Sequence, residues 1–146
     1  MATPTETRNV ETSALDELTE TLGEHAHWVL RAAFAAVFVF HGVDKLAAPG
    51  GFAEMMGLPL AVAVLVALAE TAAGALVLVG GFGVDWATRL AGLLAIPVML
   101  GAIAMVHWPR WSFVPAPEQG FPMGGMEFQV TLIAIAAYLL AKGDQL

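Results

Sequence analysis

Ionisable side chains interrupt the long apolar runs of this sequence at only a few positions, and these are the residues that could do chemistry. A charged side chain at the centre of a membrane-spanning helix costs on the order of 2.5–3.5 kcal/mol, so it usually has a partner or a function. His41 and Lys45 are four residues apart and therefore share one face of a helix. The candidate site residues are Arg31, His41, Lys45, Glu70, His107 and Glu127.

The depth of each residue within its apolar run predicts which of these side chains meet. At 1.5 Å per residue, Glu70 lies about 18 Å and Arg31 about 22 Å from the same end of the predicted bundle. We therefore predict that Arg31 and Glu70 pair and form the floor of a polar pocket. His41 is expected above that floor. The residues expected near the pocket mouth are Lys45, His107 and Glu127.

Each of these residues also has a plainer interpretation. A cation at a helix C-terminus, such as Lys45, and an anion at a helix N-terminus, such as Glu127, are both favoured by the helix dipole. His41 and His107 fit packing or interfacial positions. Glu70 has the fewest structural explanations, because a carboxylate deep in a membrane span is costly. The spacing of the six residues matches neither His-x-x-x-His nor Glu-x-x-His, so no metal site is predicted.

The composition indicates a membrane protein. Hydrophobic residues make up 58% of the chain, mean hydropathy is +0.74, and charged residues are 13%, against about a quarter in soluble domains. The apolar runs predict four membrane-spanning helices in one domain, residues 28–146. The predicted fold class is an all-α integral membrane four-helix bundle with a short acidic N-terminal tail. The predicted spans are 28–46, 58–79, 86–107 and 127–141.

Residues 1–27 carry six acidic residues against a single base, Arg8. We expect this tail to be disordered, in residues 1–10 above all, or to form a helix on the membrane surface. Its charge argues against nucleic acid as a partner. The chain has no cysteine, which excludes disulfides, thiol catalysis and cysteine-ligated iron–sulfur clusters within it. Four spans return both termini to one side, and the distribution of basic residues predicts that this side is cytoplasmic.

A series of short motifs runs through about residues 28–143. The motifs are Arg31, His41-Gly42-x-x-Lys45-Leu46, Gly57-x-Pro59, Glu70 with Gly74, Met99 and Ala102 before His107, Gly124-Gly125-x-Glu127-Phe128, and the closing Ala141-Lys142-Gly143-Asp144. In this order and spacing they resemble the DoxX family, four-span membrane proteins of bacteria and archaea. The resemblance implies a redox-associated membrane subunit, because the family is named after subunits found with a terminal quinol oxidase. Related proteins are linked to thiosulfate:quinone oxidoreduction and to membrane oxidative-stress complexes.

The leading functional hypothesis is a DoxX-like membrane subunit whose outward-facing polar pocket contacts a quinone or a small polar ligand. No self-contained catalytic motif is present, so whether the chain is itself an enzyme stays open. No covalent or metal cofactor is expected, and quinone is the one cofactor considered. One alternative is a non-catalytic accessory subunit that docks a larger membrane oxidase or dehydrogenase. Another is a small proton-linked transporter. The expected surroundings are the lipid bilayer of the cell (plasma or inner) membrane, with a larger redox complex or a homo-oligomer as partner.

Overall fold

Helices account for nearly all regular structure in the computed structural model, which describes the backbone of residues 4–145 and the side chains of residues 16–145. Within the described residues no β-strand forms, and the only β-type pairing is an isolated bridge between Ala116 and Phe121. The protein is therefore all-α, as predicted. The helices are α1 (Pro4–Ala47), α2 (Pro49–Met56), α3 (Leu60–Gly80), α4 (Asp85–Ala102), a π-helical turn that continues α4 (Ile103–His107), a short 3₁₀ turn (Pro117–Gln119), and α5 (Glu127–Lys142).

Three of these helices are long and apolar enough to cross a membrane. They cover residues 16–47 of α1, residues 60–80 as α3, and residues 85–107 as α4 with its π turn. The chain is an all-α membrane protein on this ground. Helix α5 has 16 residues, or about 24 Å at 1.5 Å per residue, which is shorter than a hydrocarbon core of about 30 Å. A fourth span at residues 127–141 stays a prediction.

Small residues on α3, α4 and α5 let the helices approach closely. Neighbouring long helices pack in chain order, α1 on α3, α3 on α4, and α4 on α5. A Cβ at Gly92 would lie 3.0 Å from the backbone nitrogen of Leu140, so α4 and α5 meet almost backbone to backbone. Such contacts suit a lipid environment, where packing rather than hydrophobicity drives helix association. Phe34 and Phe38 stack at 4.4 Å and fill the centre of the core with alanines around them.

Helix α1 is one uninterrupted helix of 44 residues, about 66 Å long and roughly twice the thickness of the hydrocarbon core. Residues 4–10 are helical, which is one of the two forms expected for the tail, and residues 1–3 lie outside the described part. No break marks the predicted tail boundary at residue 27. Adding residues to an existing helix is far easier than starting one, and the segment has no glycine until Gly23 and no proline after Pro4.

The segment between the π turn and α5 is tied to the start of α5 by backbone hydrogen bonds. Gly125, Met126 and Glu127 donate from their N–H groups to the carbonyls of Ser112, Arg110 and Trp111, at 2.7, 2.8 and 2.9 Å. This pairing folds the segment back over the end of α4. As a result, the carbonyl of Gly124 lies beside the last residue of the π turn, His107.

Candidate functional site

A cavity of about 650 Å³ lies among the C-terminal end of α1, the helices α2 and α3, the π turn and the start of α5. Polar side chains from four of these elements line it. We call the end of the bundle that holds it the cavity end. The polar lining residues are His41, Asp44 and Lys45 from α1, Glu70 from α3, His107 from the π turn and Gln129 from α5.

The rest of the lining is apolar and rich in methionine. Five of the seven methionines of the chain contribute to it, namely Met55, Met56, Met99, Met105 and Met123. Met55, Met105 and Met123 are each more than half exposed, whereas Glu70 and His107 are buried. Thioether side chains are flexible and adapt to differently shaped apolar surfaces. The cavity therefore combines buried polar groups with a deformable apolar edge.

Lys45 and Glu70 form a buried ion pair in the cavity. Nζ of Lys45 lies 2.7 Å from Oε2 of Glu70, and the two side chains are 18% and 4% exposed. The ammonium also donates to the carbonyl of His41 at 3.3 Å and lies 5.3 Å from the centre of the Phe52 ring. A lysine ammonium has three hydrogens to donate. The Glu70 carboxylate and the His41 carbonyl accept two of them, so one hydrogen remains for an occupant of the cavity.

His107 and Gln129 form a second polar pair on the α4–α5 side of the cavity. Nδ1 of His107 lies 3.0 Å from the carbonyl oxygen of Gly124, and Nε2 lies 2.9 Å from Nε2 of Gln129. A carbonyl can only accept, so Nδ1 must carry the hydrogen. In the neutral imidazole, Nε2 is then the acceptor and the Gln129 amide donates to it.

Two local features of the backbone place His107. Each hydrogen bond of the π turn spans one residue more than in an α-helix, and the last one runs from the Trp108 N–H to the Ile103 carbonyl at 2.9 Å. The partner carbonyl belongs to Gly124, whose φ of +76° lies in the left-handed region. A Cβ at that residue would collide with the Phe113 backbone, so only glycine fits there without strain.

His41 lies at the exposed edge of the cavity rather than inside it. Its side chain is exposed, and its ring contacts Phe40 edge-on at 5.3 Å between centres. Its backbone carbonyl accepts from Lys45. His41 thus borders the entrance, and the buried histidine of the cavity is His107.

The structure brings four of the six predicted site residues to one cavity and places two elsewhere. His41, Lys45, Glu70 and His107 line it, whereas Arg31 and Glu127 do not. The predicted Arg31–Glu70 pair is wrong, because Glu70 is paired with Lys45.

The reason is the relative height of α1 and α3. Gly42 of α1 faces Ala67 and Thr71 of α3, and Gly74 of α3 faces Ala35 and Val39 of α1. Lys45 therefore lies about one turn from Glu70, and its side chain leans towards the N-terminus of its own helix and closes that gap. The prediction set the end of α1 level with the start of α3. In the structure Leu60, the first residue of α3, lies roughly one turn beyond Ala47, the last residue of α1, and α2 packs beside α3.

Arg31 holds the opposite end of the bundle together. It is 1% exposed, and its guanidinium donates to the Val77 carbonyl and the Thr88 hydroxyl, both at 2.8 Å, and to the Gly143 carbonyl at 3.4 Å. It also donates to His27. These bonds link α1, α3, α4 and the end of α5. Four oriented acceptors satisfy a buried cation at a place where no carboxylate pairs with it among the described residues.

Glu127 acts at the start of α5. Its Oε2 accepts from the Phe113 N–H at 3.3 Å, and its own N–H donates to the Trp111 carbonyl at 2.9 Å. A carboxylate at a helix N-terminus is also favoured by the helix dipole. The structural role of Glu127 at the helix N-terminus therefore accounts for its position.

Sequence reasoning missed Gln129 and Asp44, which also line the cavity. Neither is an ionisable group deep within an apolar run. Gln129 is a neutral amide near the start of α5, and Asp44 is an exposed residue near the end of α1. A signal was present for Gln129, because a primary amide inside a span needs hydrogen-bond partners almost as much as a charge does.

The arrangement can hold both kinds of polar atom in one ligand. The Lys45 ammonium donates to an acceptor, whereas the Glu70 carboxylate accepts from a donor. Within residues 16–145, no group of three histidine, aspartate or glutamate side chains is arranged to hold a metal ion. The site is therefore described by hydrogen bonding and charge.

Comparison with known proteins agrees with the fold. A family model described as DoxX matches residues 26–108, which cover α1 from Ala26, α2, α3, α4 and the π turn. No curated protein matches the chain significantly. The same holds for solved structures. The match ends before α5, so the resemblance noted at residues 124–128 and 141–144 lies outside it. Since the matched segment makes up more than half of the sequence and contains Arg31, His41, Lys45, Glu70 and His107, this chain belongs to the DoxX family.

Proposed function

We propose that this DoxX protein is a redox-associated membrane subunit whose cavity binds the head group of a quinone-type molecule. The observation that carries the proposal is the convergence of the Lys45–Glu70 and His107–Gln129 pairs on one cavity with an apolar, methionine-rich edge. A quinone has polar oxygens at opposite sides of a ring and an apolar tail. The two polar pairs suit the oxygens, and the apolar edge suits the tail.

In this proposal each polar residue has one task. Lys45 donates its remaining hydrogen to an oxygen of the head group, and Glu70 holds the ammonium in place. His107 holds the Gln129 amide in place, because its own ring is fixed by the hydrogen bond to the Gly124 carbonyl. His41 lies at the exposed edge, where it meets the ligand on entry.

In the accessory-subunit alternative, the protein has the same fold but binds no quinone. Whether the purified chain by itself binds a quinone distinguishes this alternative from the leading proposal. The transporter alternative needs a polar route between the cavity and the opposite end of the bundle. Phe34, Phe38, Ala73 and Val77 fill that region and are buried, so the structure favours it less.

Ligand titration tests the proposal. Purified protein in detergent is titrated calorimetrically with a decyl-substituted benzoquinone, comparing wild type with Lys45→Met and Glu70→Gln. A hydrogen bond to a charged group contributes about 1.5–3 kcal/mol, so we expect Kd to rise roughly 10- to 100-fold in Lys45→Met. Lys142→Met and Glu118→Gln, which do not line the cavity, are the matched controls. Quinone binding that is absent in wild type, or unchanged in both cavity variants while they elute as intact protein, rejects the proposal.

A further inference from the structure

The side of α1 that faces away from the bundle carries a continuous apolar stripe. At about 100° per residue, its members fall within roughly 80° of the helix circumference. Its four large members are each more than half exposed, and its three alanines are exposed as well. This set, called the α1 stripe below, consists of Leu18, Leu22, Ala26, Val29, Ala33, Ala36 and Phe40.

The opposite side of α1 holds the charged residues and the contacts to the bundle. The four acidic residues between positions 16 and 27 lie about 120–160° from the middle of the stripe by the same angle per residue. Three buried residues, Arg31, Phe34 and Phe38, continue that side into the bundle. Between residues 16 and 40, every charged side chain therefore lies away from the stripe.

Lipid can cover only the part of the stripe that lies within the membrane. Trp28, a residue type that anchors helices at the membrane interface, packs edge-on against Phe82 in the turn after α3 at 5.0 Å between ring centres. Leu22 and Leu18 lie about 9 and 15 Å beyond Trp28. Because α1 continues there without a break, this part projects from the bilayer instead of lying on its surface. The stripe therefore fits a partner that follows α1 across the membrane boundary.

A second copy of this chain meets that condition. Copies inserted in the same orientation hold their α1 helices parallel and at equal height, so the stripe of one meets the same residues of the other around a two-fold axis. Inside the membrane, the exposed small residues Ala32, Ala33 and Ala36 let two helices approach closely. Outside it, the leucines meet while the acids, which repel between identical chains, lie on the far sides. A basic partner would be drawn to the acidic side instead.

We propose that two copies of this protein form a parallel homodimer through the α1 stripe, from Leu18 to Phe40. The contact begins outside the bilayer, on the N-terminal part of α1, and continues between the two α1 helices inside it. It requires no ligand in the cavity, so its tests are separate from those of the proposed function.

Disulfide cross-linking in isolated membranes tests the contact, because the chain has no cysteine of its own. Leu22→Cys and Ala26→Cys each place a thiol in the stripe, and Glu24→Cys places one at the same height on the acidic side. A disulfide requires Cα atoms within about 7 Å of each other. After oxidation with copper phenanthroline, we expect both stripe variants to give a covalent species of twice the chain mass, and Glu24→Cys to stay monomeric.

Three outcomes of the cross-linking would overturn the inference. The first is that neither stripe variant cross-links. The second is that Glu24→Cys cross-links as strongly as they do, which is the result of random collision. The third is a cross-linked species whose mass is not twice that of the chain, which would identify a different membrane protein as the partner.

An acidic residue within the stripe should separate the two copies. Leu22→Glu brings like charges face to face, whereas Gly23→Glu adds the same charge on another side of the helix, where nothing lies within 4 Å. Both positions are exposed, so the fold of the monomer is kept. Förster transfer between donor- and acceptor-labelled copies in proteoliposomes measures the dimer. Its Kd should rise about tenfold or more in Leu22→Glu and stay near the wild-type value in Gly23→Glu. Equal Kd values in the two variants, or a monomeric wild type, reject the dimer.

Discussion

Lys45 and Glu70 form the one buried ion pair among the described side chains; the other ion pair, Arg89 with Asp85, is exposed by about 40% on each side. Burying a charge is costly, and the cost is offset only while both partners are present. The two residues come from different helices, α1 and α3. The pair therefore fixes the relative height of those helices as well as the charge of the cavity.

Removing one partner of the Lys45–Glu70 ion pair should lower the free energy of unfolding more than removing both. Lys45→Met leaves a buried carboxylate and Glu70→Gln leaves an ammonium without its counter-ion, so each should lower the free energy of unfolding by on the order of 3 kcal/mol. The double variant should lose less than the sum of the single losses. Denaturant unfolding in detergent, followed by tryptophan fluorescence, measures all three, with Glu118→Gln as an exposed control. Additive losses would mean that the two side chains do not interact.

The candidate site could be predicted in part from single residues. Glu70 stands out because few structural roles explain a carboxylate at position 11 of the 21-residue helix α3. Its partner could not be found, because the lengths of apolar runs do not say how far one helix slides along another. Gln129 escaped notice for a different reason, since an amide carries no charge to mark it. Its importance depends on an imidazole that lies 22 residues away in the chain.

At the scale of the elements, the cavity exists because α3 begins beyond the end of α1 along the bundle axis. Helix α2 packs in the space that this offset leaves. The other wall comes from α4 and α5, which are in near-backbone contact at Gly92. The existence of the helices follows from the apolar runs. The continuation of α1 back to Pro4 does not, because it depends on propagation from the span into a polar segment that is a weak helix former alone.

The α4–α5 contact can be tested with two glycines of one helix. Gly92→Ala places a methyl group against the Ala136 carbonyl and the Leu140 backbone, whereas Gly101→Ala meets nothing within 4 Å. Overpacking typically costs about 1–3 kcal/mol, so Gly92→Ala should lower the free energy of unfolding in detergent by that amount. Gly101→Ala should leave it unchanged or raise it slightly. Equal stability of the two variants would show that α5 can move away from α4 at little cost.

For the whole molecule, polar side chains gather at two ends and an apolar core separates them. One end holds the cavity, and the other holds Arg31 and Arg89 bonded to carbonyls at the end of α5. Which end faces the cytoplasm follows only from the basic residues. The proposed orientation puts the N-terminal part of α1 in the cytoplasm and residues 108–126 outside.

Cysteine labelling can decide the orientation, because the chain has no cysteine of its own. Single cysteines replace two exposed acids, Glu24 in α1 and Glu118 in the segment before α5. In intact spheroplasts, a maleimide that cannot cross membranes should label the cysteine at position 118. It should reach the one at position 24 only after lysis. The reverse pattern would invert the topology and make the cavity face the cytoplasm.

The π turn at residues 103–107 lets this helix contain one additional residue without changing which side chains enter the cavity. Its hydrogen bonds span one residue more than those of an α-helix, so the additional residue is absorbed over nearly the same rotation about the helix axis. Deleting one residue of the turn before His107 would therefore restore an α-helix and leave His107 facing Gln129 and Gly124. Among chains with this fold, a single-residue gap at this turn is compatible with a buried histidine at the same place. Alignments of the family should therefore place such a gap before His107, so that the histidines stay aligned.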